Sequence, residues 1–180
     1  MEETLVHLYN FPCIVYYTIF NEGWGQFDSD IMYDIVKAMD NSRIIDSTSG
    51  WFWQNLSDVD SYHVYFKPFE MHESDRPVIL SEFGGYSFKI PEHSFNKKNN
   101  YGYGKAGSSE ELTDMIVNLY EREILPAIDK GLCGAIYTQA TDVEDETNGF
   151  YTYDRRVCKV DAERMRKLSA KLSERMTDGT

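Results

Sequence analysis

Two glutamates stand at the ends of apolar runs. Ile14-Val15-Tyr16-Tyr17-Thr18-Ile19-Phe20 stops at Asn21-Glu22-Gly23-Trp24, and Pro77-Val78-Ile79-Leu80 stops at Ser81-Glu82-Phe83-Gly84-Gly85. Each run predicts a β-strand, and each glutamate falls at its C-terminal end, where the chain turns. Paired carboxylates at the ends of separate parallel strands suit cleavage of a glycosidic bond, where one carboxyl group protonates and the other attacks. A retaining reaction needs those groups about 5–5.5 Å apart, an inverting one roughly 6.5–9.5 Å. The bland alternative is two solvated loop acids in a chain with 30 Asp and Glu. Strand-end placement and flanking glycines argue against it.

The surrounding pattern supplies the elements that would position the pair. A helix ends near Tyr9, before the breaker Asn10-Phe11-Pro12, and Ile14–Phe20 reads as a strand buried on both faces. Asp28 or Ser29 can cap a helix whose Ile31, Met32, Ile35, Val36 and Met39 share one side. Further strands are predicted at Ile44–Asp46, Val59–Tyr65, Pro77–Leu80 and Cys133–Thr138. The stretch from Ser87 to Gly107 is long, polar and rich in glycine and asparagine, as binding-site loops are. Ser108-Ser109-Glu110-Glu111 is a capping box opening a helix that runs to Gly131, with a kink at Pro126. Asp161 starts a terminal helix. Strands alternating with helices or long connections predict an α/β fold with a parallel sheet in one domain over 1–180.

Composition narrows the partners. At 180 residues, 42% hydrophobic and 27% charged, the chain can bury a real core. A net charge of −12 argues against a nucleic-acid surface, which depends on cationic neutralisation. The apolar run Phe11–Phe20 is too short to span a bilayer, and Met1-Glu2-Glu3 is acidic where a secretory signal needs a basic region. Those features favour a cytoplasmic location and no membrane partner. Cys13, Cys133 and Cys158 lack CxxC spacing; Cys13 and Cys133 adjoin apolar runs and read as small buried hydrophobes, so no zinc and no obligatory disulfide is expected. Aromatics reach 14%, and Trp24, Trp51, Trp53, Tyr62, Tyr65, Tyr86, Tyr101 and Tyr103 fall in loops or at strand ends. Aromatic faces pack against sugar C–H faces, although ordinary core packing is the competing reading.

Asn21-Glu22-Gly23, Ser81-Glu82-Phe83-Gly84-Gly85 and Tyr137-Thr138-Gln139 through Asp142-Val143-Glu144-Asp145 resemble glycoside hydrolase family 2, which includes β-galactosidases, β-glucuronidases and β-mannosidases. Asp46-Ser47-Thr48-Ser49-Gly50-Trp51 and Asp60-Ser61-Tyr62-His63-Val64-Tyr65 look similar as well. The resemblance runs from Asn10 to the terminal helix. It implies a (β/α)8 TIM barrel, of which this chain would supply strands 4–8, with the earlier barrel strands and the β-sandwich domains missing. It implies Glu22 as acid/base, Glu82 as nucleophile, and Asn21 on the sugar 2-hydroxyl. Trp24, Trp51, Tyr62, His63 and Gln139 complete the implied sugar contacts, with no cofactor or metal. His63 can equally be a satisfied strand histidine, and Trp51 and Trp53 can equally cap the barrel.

The implied activity is retaining hydrolysis of a β-glycoside, with β-galactoside as the first candidate. Glu82 would attack as the carboxylate while Glu22 delivers a proton, and Glu22 would then activate water. Five strands do not close an eight-stranded barrel, so the isolated fragment can be inactive. Its exposed edges predict self-association or a need for the missing N-terminal domains. The alternatives are a non-catalytic carbohydrate-binding or structural remnant, and a cellulase-like or mannanase-like enzyme sharing the Asn-Glu motif. The acidic run Asp142–Glu146 lacks the glycine and spacing of an EF-hand and reads as loop architecture.

Overall fold

The computed structural model describes residues 1–178; the final two positions of the domain expected over 1–180 lie outside the described residues. The chain forms two compact units, Met1–His63 with Glu73–Ser81, and Val64–His72 with the chain from Glu82 onward.

The first unit opens with α1 (Glu2–Leu8), β1 (Tyr16–Asn21), α2 (Ser29–Met39) and β2 (Ile44–Ser49). β1 and β2 pair in parallel, Tyr16 opposite Ile44 through Asn21 opposite Ser49. Leu5, Val36 and Ile45 make the core, with Tyr17, Ile19, Tyr33 and Met39 packed against it. Removing each such apolar side chain from water contributes about 1.5–3 kcal/mol. Asp58 pins α2 to β2: it accepts from Tyr33 Oη at 2.6 Å, Lys37 Nζ at 2.9 Å and Ile45 N at 2.9 Å. β3 (Asp60–Val64) and β4 (Val78–Gly84) begin in this unit and are neighbours in one sheet, with Asp60 N donating to Pro77 O at 3.0 Å; their last residues, 64 and 82–84, belong to the second unit.

In the second unit β5 (Tyr86–Ser87) pairs in parallel with β6 (Gly104–Lys105). α3 (Ser109–Leu119) starts on Ser108, whose Oγ accepts from Glu111 N at 3.1 Å, while the Glu111 carboxylate takes Gly107 N at 2.6 Å. α4 (Leu125–Ile128), β7 (Leu132–Thr138) and α5 (Ala162–Asp178) follow. Leu112, Ile116 and Val160 form the core, surrounded by Tyr86, Phe88, Tyr120, Tyr137 and Phe150. Asp161 caps α5, accepting from Glu163 N and Arg164 N at 2.9 and 3.1 Å.

Four expectations are corrected. Strands 4–8 of a TIM barrel should lie adjacent in one sheet, yet β2 and β3 fall in separate sheets and no sheet among the described residues exceeds three strands. The polar run Asp46-Ser47-Thr48-Ser49 explains the break. The edge of β2 is satisfied by the segment before β3: Asp58 N donates to Ile45 O at 2.9 Å, and Ser47 Oγ to Leu56 O at 2.5 Å. β1 is half-buried instead of enclosed on both faces, with Val15 64% exposed just before it, because its ladder partner is β2 alone among the described residues. The helix expected through to Gly131 is interrupted by a π turn over Tyr120–Ile124, where Leu125 N reaches Tyr120 O. Pro126 has no N–H to continue the α-helical ladder, and the widened turn absorbs the defect. Cys13 and Cys133 are exposed, as is Cys158. No helix among the described residues is long and apolar enough to cross a membrane.

Candidate functional site

Glu22 follows β1 in the first unit. Its backbone is left-handed, φ 55°, an arrangement that costs a non-glycine residue free energy and recurs at functional positions. Its N–H donates to Ser49 O at 3.0 Å, continuing the β1–β2 register. The side chain meets His63, with Oε1 and Nδ1 2.6 Å apart, and His63 is 6% exposed. Gly50, φ +93°, makes room for that ring: a Cβ there would stand 2.4 Å from His63 Cγ.

The protons of this network can be counted. Ser49 Oγ donates to Ser81 Oγ at 2.8 Å, and Ser81 Oγ donates to Tyr62 O at 3.4 Å. Ser49 therefore has only a lone pair for His63 Nε2, 3.1 Å away, and Nε2 carries the hydrogen. Nδ1 then either accepts from a neutral Glu22 carboxyl or, in an imidazolium, donates to the carboxylate. Both arrangements keep one proton between Glu22 and His63. Nearby, Asp46 is 1% exposed, and burial pushes its carboxyl up against the opposing hydrogen bonds of Tyr16 and Ser61.

The other expected contacts of this unit divide. Trp51 stands by His63, ring centroids 6.1 Å apart. Asn21 ends β1 beside Glu22 and is exposed, as is Trp24 at 81%. Tyr62 offers its carbonyl to the hydroxyl chain, and its ring packs 5.0 Å from that of Trp53.

Glu82 belongs to the second unit and has a different partner. Tyr65 Oη donates to Glu82 Oε2 at 2.5 Å. Thr138 Oγ1 lies 3.0 Å from the same phenol oxygen. Since the phenol has one proton and Glu82 takes it, Thr138 must donate here. Burial first, and the bond to Glu82 second, push the Tyr65 phenol far above its ordinary value, so it stays a donor at any physiological pH.

Gln139 follows the cis Thr138–Gln139 peptide. Its amide nitrogen spends both hydrogens, on Glu146 Oε2 at 2.7 Å and Asn148 Oδ1 at 2.9 Å. Only its carbonyl oxygen remains to meet a ligand hydroxyl. The acidic loop is held from behind by Lys159, 0% exposed, whose Nζ donates to Asp142 Oδ1 at 2.6 Å and to Phe88 O and Thr147 O at 2.9 Å. Burial pushes the Asp142 carboxyl up and the Lys159 ammonium down, each towards its neutral form, while their mutual contact opposes both.

Sequence reasoning did not single out Ser49, Tyr65 or Thr138 as members of these networks. Tyr65 carried a usable signal, two residues beyond His63 at a strand end. For the serine and threonine the sequence offered none.

No protein-family model matches the chain, and no curated protein sequence does. Its fold has counterparts among solved structures. A Faecalibacterium prausnitzii β-glucuronidase superposes with a TM-score of 0.55 at 16% identity, covering 95% of this chain and 33% of that one. An exo-β-agarase gives a TM-score of 0.57 at 15% identity, covering 82% and 22%. The chain thus spans a third or less of the length of these proteins. At such identities the likeness concerns the fold, which is glycosidase-like.

Proposed function

We propose that this chain is the C-terminal part of a family 2-like retaining glycosidase barrel, acting on β-glycosides with β-galactosides first. The observation that carries the reading is the unequal company of the two strand-end glutamates. Glu22 shares a proton with a histidine, as a general acid/base needs. Glu82 accepts from a phenol that does not give up its proton, as a carboxylate nucleophile needs. The glycosidase-like fold supports it.

In the first step a Glu82 oxygen bonds the anomeric carbon as the glycosidic C–O bond breaks, and the leaving oxygen takes the proton from Glu22. In the second, Glu22 takes a proton from water, the water oxygen bonds the anomeric carbon, and Glu82 leaves as carboxylate. Two inversions give retention. Asn21 meets the 2-hydroxyl, Trp24 and Trp51 offer ring faces, His63 sets the Glu22 proton, and Tyr62 and Gln139 add polar contacts. The preceding barrel strands and N-terminal domains, or self-association, complete the enzyme.

A panel of aryl β-glycosides, and a 2-deoxy-2-fluoro-β-galactoside that traps the covalent intermediate, test this on the chain alone and extended at its N-terminus. Labelling of Glu82 in either form is the expected result. Hydrolysis that survives Glu82→Gln, or labelling elsewhere, overturns it. Carbohydrate binding with no turnover in both forms establishes the non-catalytic remnant instead.

A further inference from the structure

Phe66 and Tyr101 are large rings left 82% and 52% exposed in the second unit. Both meet one shared ring edge-on. Phe66 stands 5.1 Å from Tyr103 at 74°, and Tyr101 stands 5.7 Å from it at 71°. Tyr103 in turn stacks on Tyr65, centroids 3.7 Å apart and 8° from parallel. Tyr65 holds Glu82. Single exposed aromatics need no explanation, but three around one ring, one hydrogen bond from a carboxylate, form an arranged surface.

The arrangement is tied down by backbone. Tyr103 N donates to Gly85 O at 2.9 Å, Tyr101 N to Asp145 O at 2.7 Å, and Thr147 N to Tyr101 O at 3.0 Å. Gly85, φ +65°, lets the stacked pair lie against the chain, since a Cβ there would stand 2.5 Å from Tyr103 Cδ2 and 3.3 Å from Tyr65 Cε1. The loop between Ser87 and Gly107 therefore presents Tyr101 and Tyr103 already ordered, at little conformational cost on binding.

We infer that Phe66, Tyr103 and Tyr101 are a platform for the apolar C–H face of a neutral pyranose held next to Glu82. This rests on the reading of Glu82 as the nucleophile of a β-glycosidase. Aromatic faces are electron-rich and attract the polarised C–H bonds of a sugar face, while the two tyrosine hydroxyls can meet its rim. A uronate is disfavoured: two acids, Asp145 and Glu146, are backbone neighbours of Tyr101, and the buried Lys159 is committed to three acceptors.

The test is titration of β-1,4-galactobiose into the full chain and into its Glu82→Gln variant, which cannot turn over, followed by NMR. Phe66→Ala combined with Tyr101→Ala should weaken binding about tenfold, or 1.4 kcal/mol. Phe66→Trp should hold or improve it. Both truncated side chains lie largely in solvent, and an unchanged melting temperature shows the fold intact. Unaltered affinity in the double variant, no galactobiose binding by the parent chain, or equal binding of methyl β-glucuronide and methyl β-galactoside overturns the platform. If fluorosugar labelling of Glu82 persists in any of those cases, the platform alone fails. If binding follows the aromatics but Glu82 never labels, the nucleophile reading alone fails.

Discussion

Glu22 and Glu82 end similar strand sequences, yet each is placed in different chemical company. Around Glu22 the first unit sets a histidine, two serines and a carbonyl, a chain that leaves one proton between Glu22 and His63. Around Glu82 the second unit sets a phenol and a threonine hydroxyl, each donating its only hydrogen inward. The buried phenol beside a carboxylate keeps its proton. The residue type alone, glutamate after a strand, does not distinguish the roles; the partner does.

The sharpest way to break the comparison is to neutralise each carboxylate. Glu82→Gln should remove turnover by about 10⁴-fold or more for every substrate, because no other group replaces the nucleophile. Glu22→Gln should cost about 10²–10⁴-fold for alkyl β-glycosides and far less for dinitrophenyl ones, which leave without protonation. Equal losses across leaving groups would show that the two roles are misassigned.

The partners come next. Tyr65→Phe withdraws one charge-assisted hydrogen bond, worth about 1.5–3 kcal/mol, so kcat/KM should fall roughly 10–100-fold in a version that turns over. His63→Gln should produce a smaller loss, about tenfold, concentrated on poor leaving groups in the pattern of Glu22→Gln. If His63→Gln instead slowed good and poor leaving groups alike, the proton shared with Glu22 would be structural only.

The smallest expected effect concerns acid stability, which tryptophan emission reads in the first unit. Hydrogen bonds from Ser42 hold the Asp40 carboxyl below the usual carboxylate range despite burial, and Tyr33 and Lys37 do the same for Asp58. A folded-state value below the unfolded one stabilises the fold at pH above about 4, and that contribution is lost as pH falls through and below it. In the second unit burial shifts Asp142 the other way, whereas the His93 hydrogen bond holds Asp154, and the backbone N–H groups of Arg164 and Glu163 hold Asp161, below the usual range, so that unit loses stability in acid as well. All three tryptophans, Trp24, Trp51 and Trp53, lie in the first unit. Their emission should therefore change on acidification between about pH 4 and 2, and Asp58→Asn should flatten that change.

What could be read from the sequence follows periodicity and local chemistry. The strand ending at Asn21, the helix capped by Ser108 and the helix opened by Asp161 were legible because each depends on neighbours within four residues. The separation of β2 from β3 was not, since it turns on Ser47 and Asp58 bonding across 9 to 13 residues. The candidate carboxylates were visible from their strand ends. That Ser49, Tyr65 and Thr138 join the two carboxylate networks was not, because Tyr65 and Thr138 are 73 residues apart and meet only in the folded chain. The exposed cysteines show the same limit: Cys133 adjoins apolar residues but lies on the outward side of β7.

The enclosure of Lys159 makes it a chemical recorder of unfolding. Its amine sits among three acceptors with no route for an acylating reagent, while other lysines such as Lys67, Lys97 and Lys98 face solvent. Brief treatment of the folded chain with an acetylating reagent would mark those surface positions and spare Lys159. An acetyl group found there by mass spectrometry would date from a moment when the acidic loop had opened or had not yet closed around it, so one modification site separates chains that were always folded from those that were not.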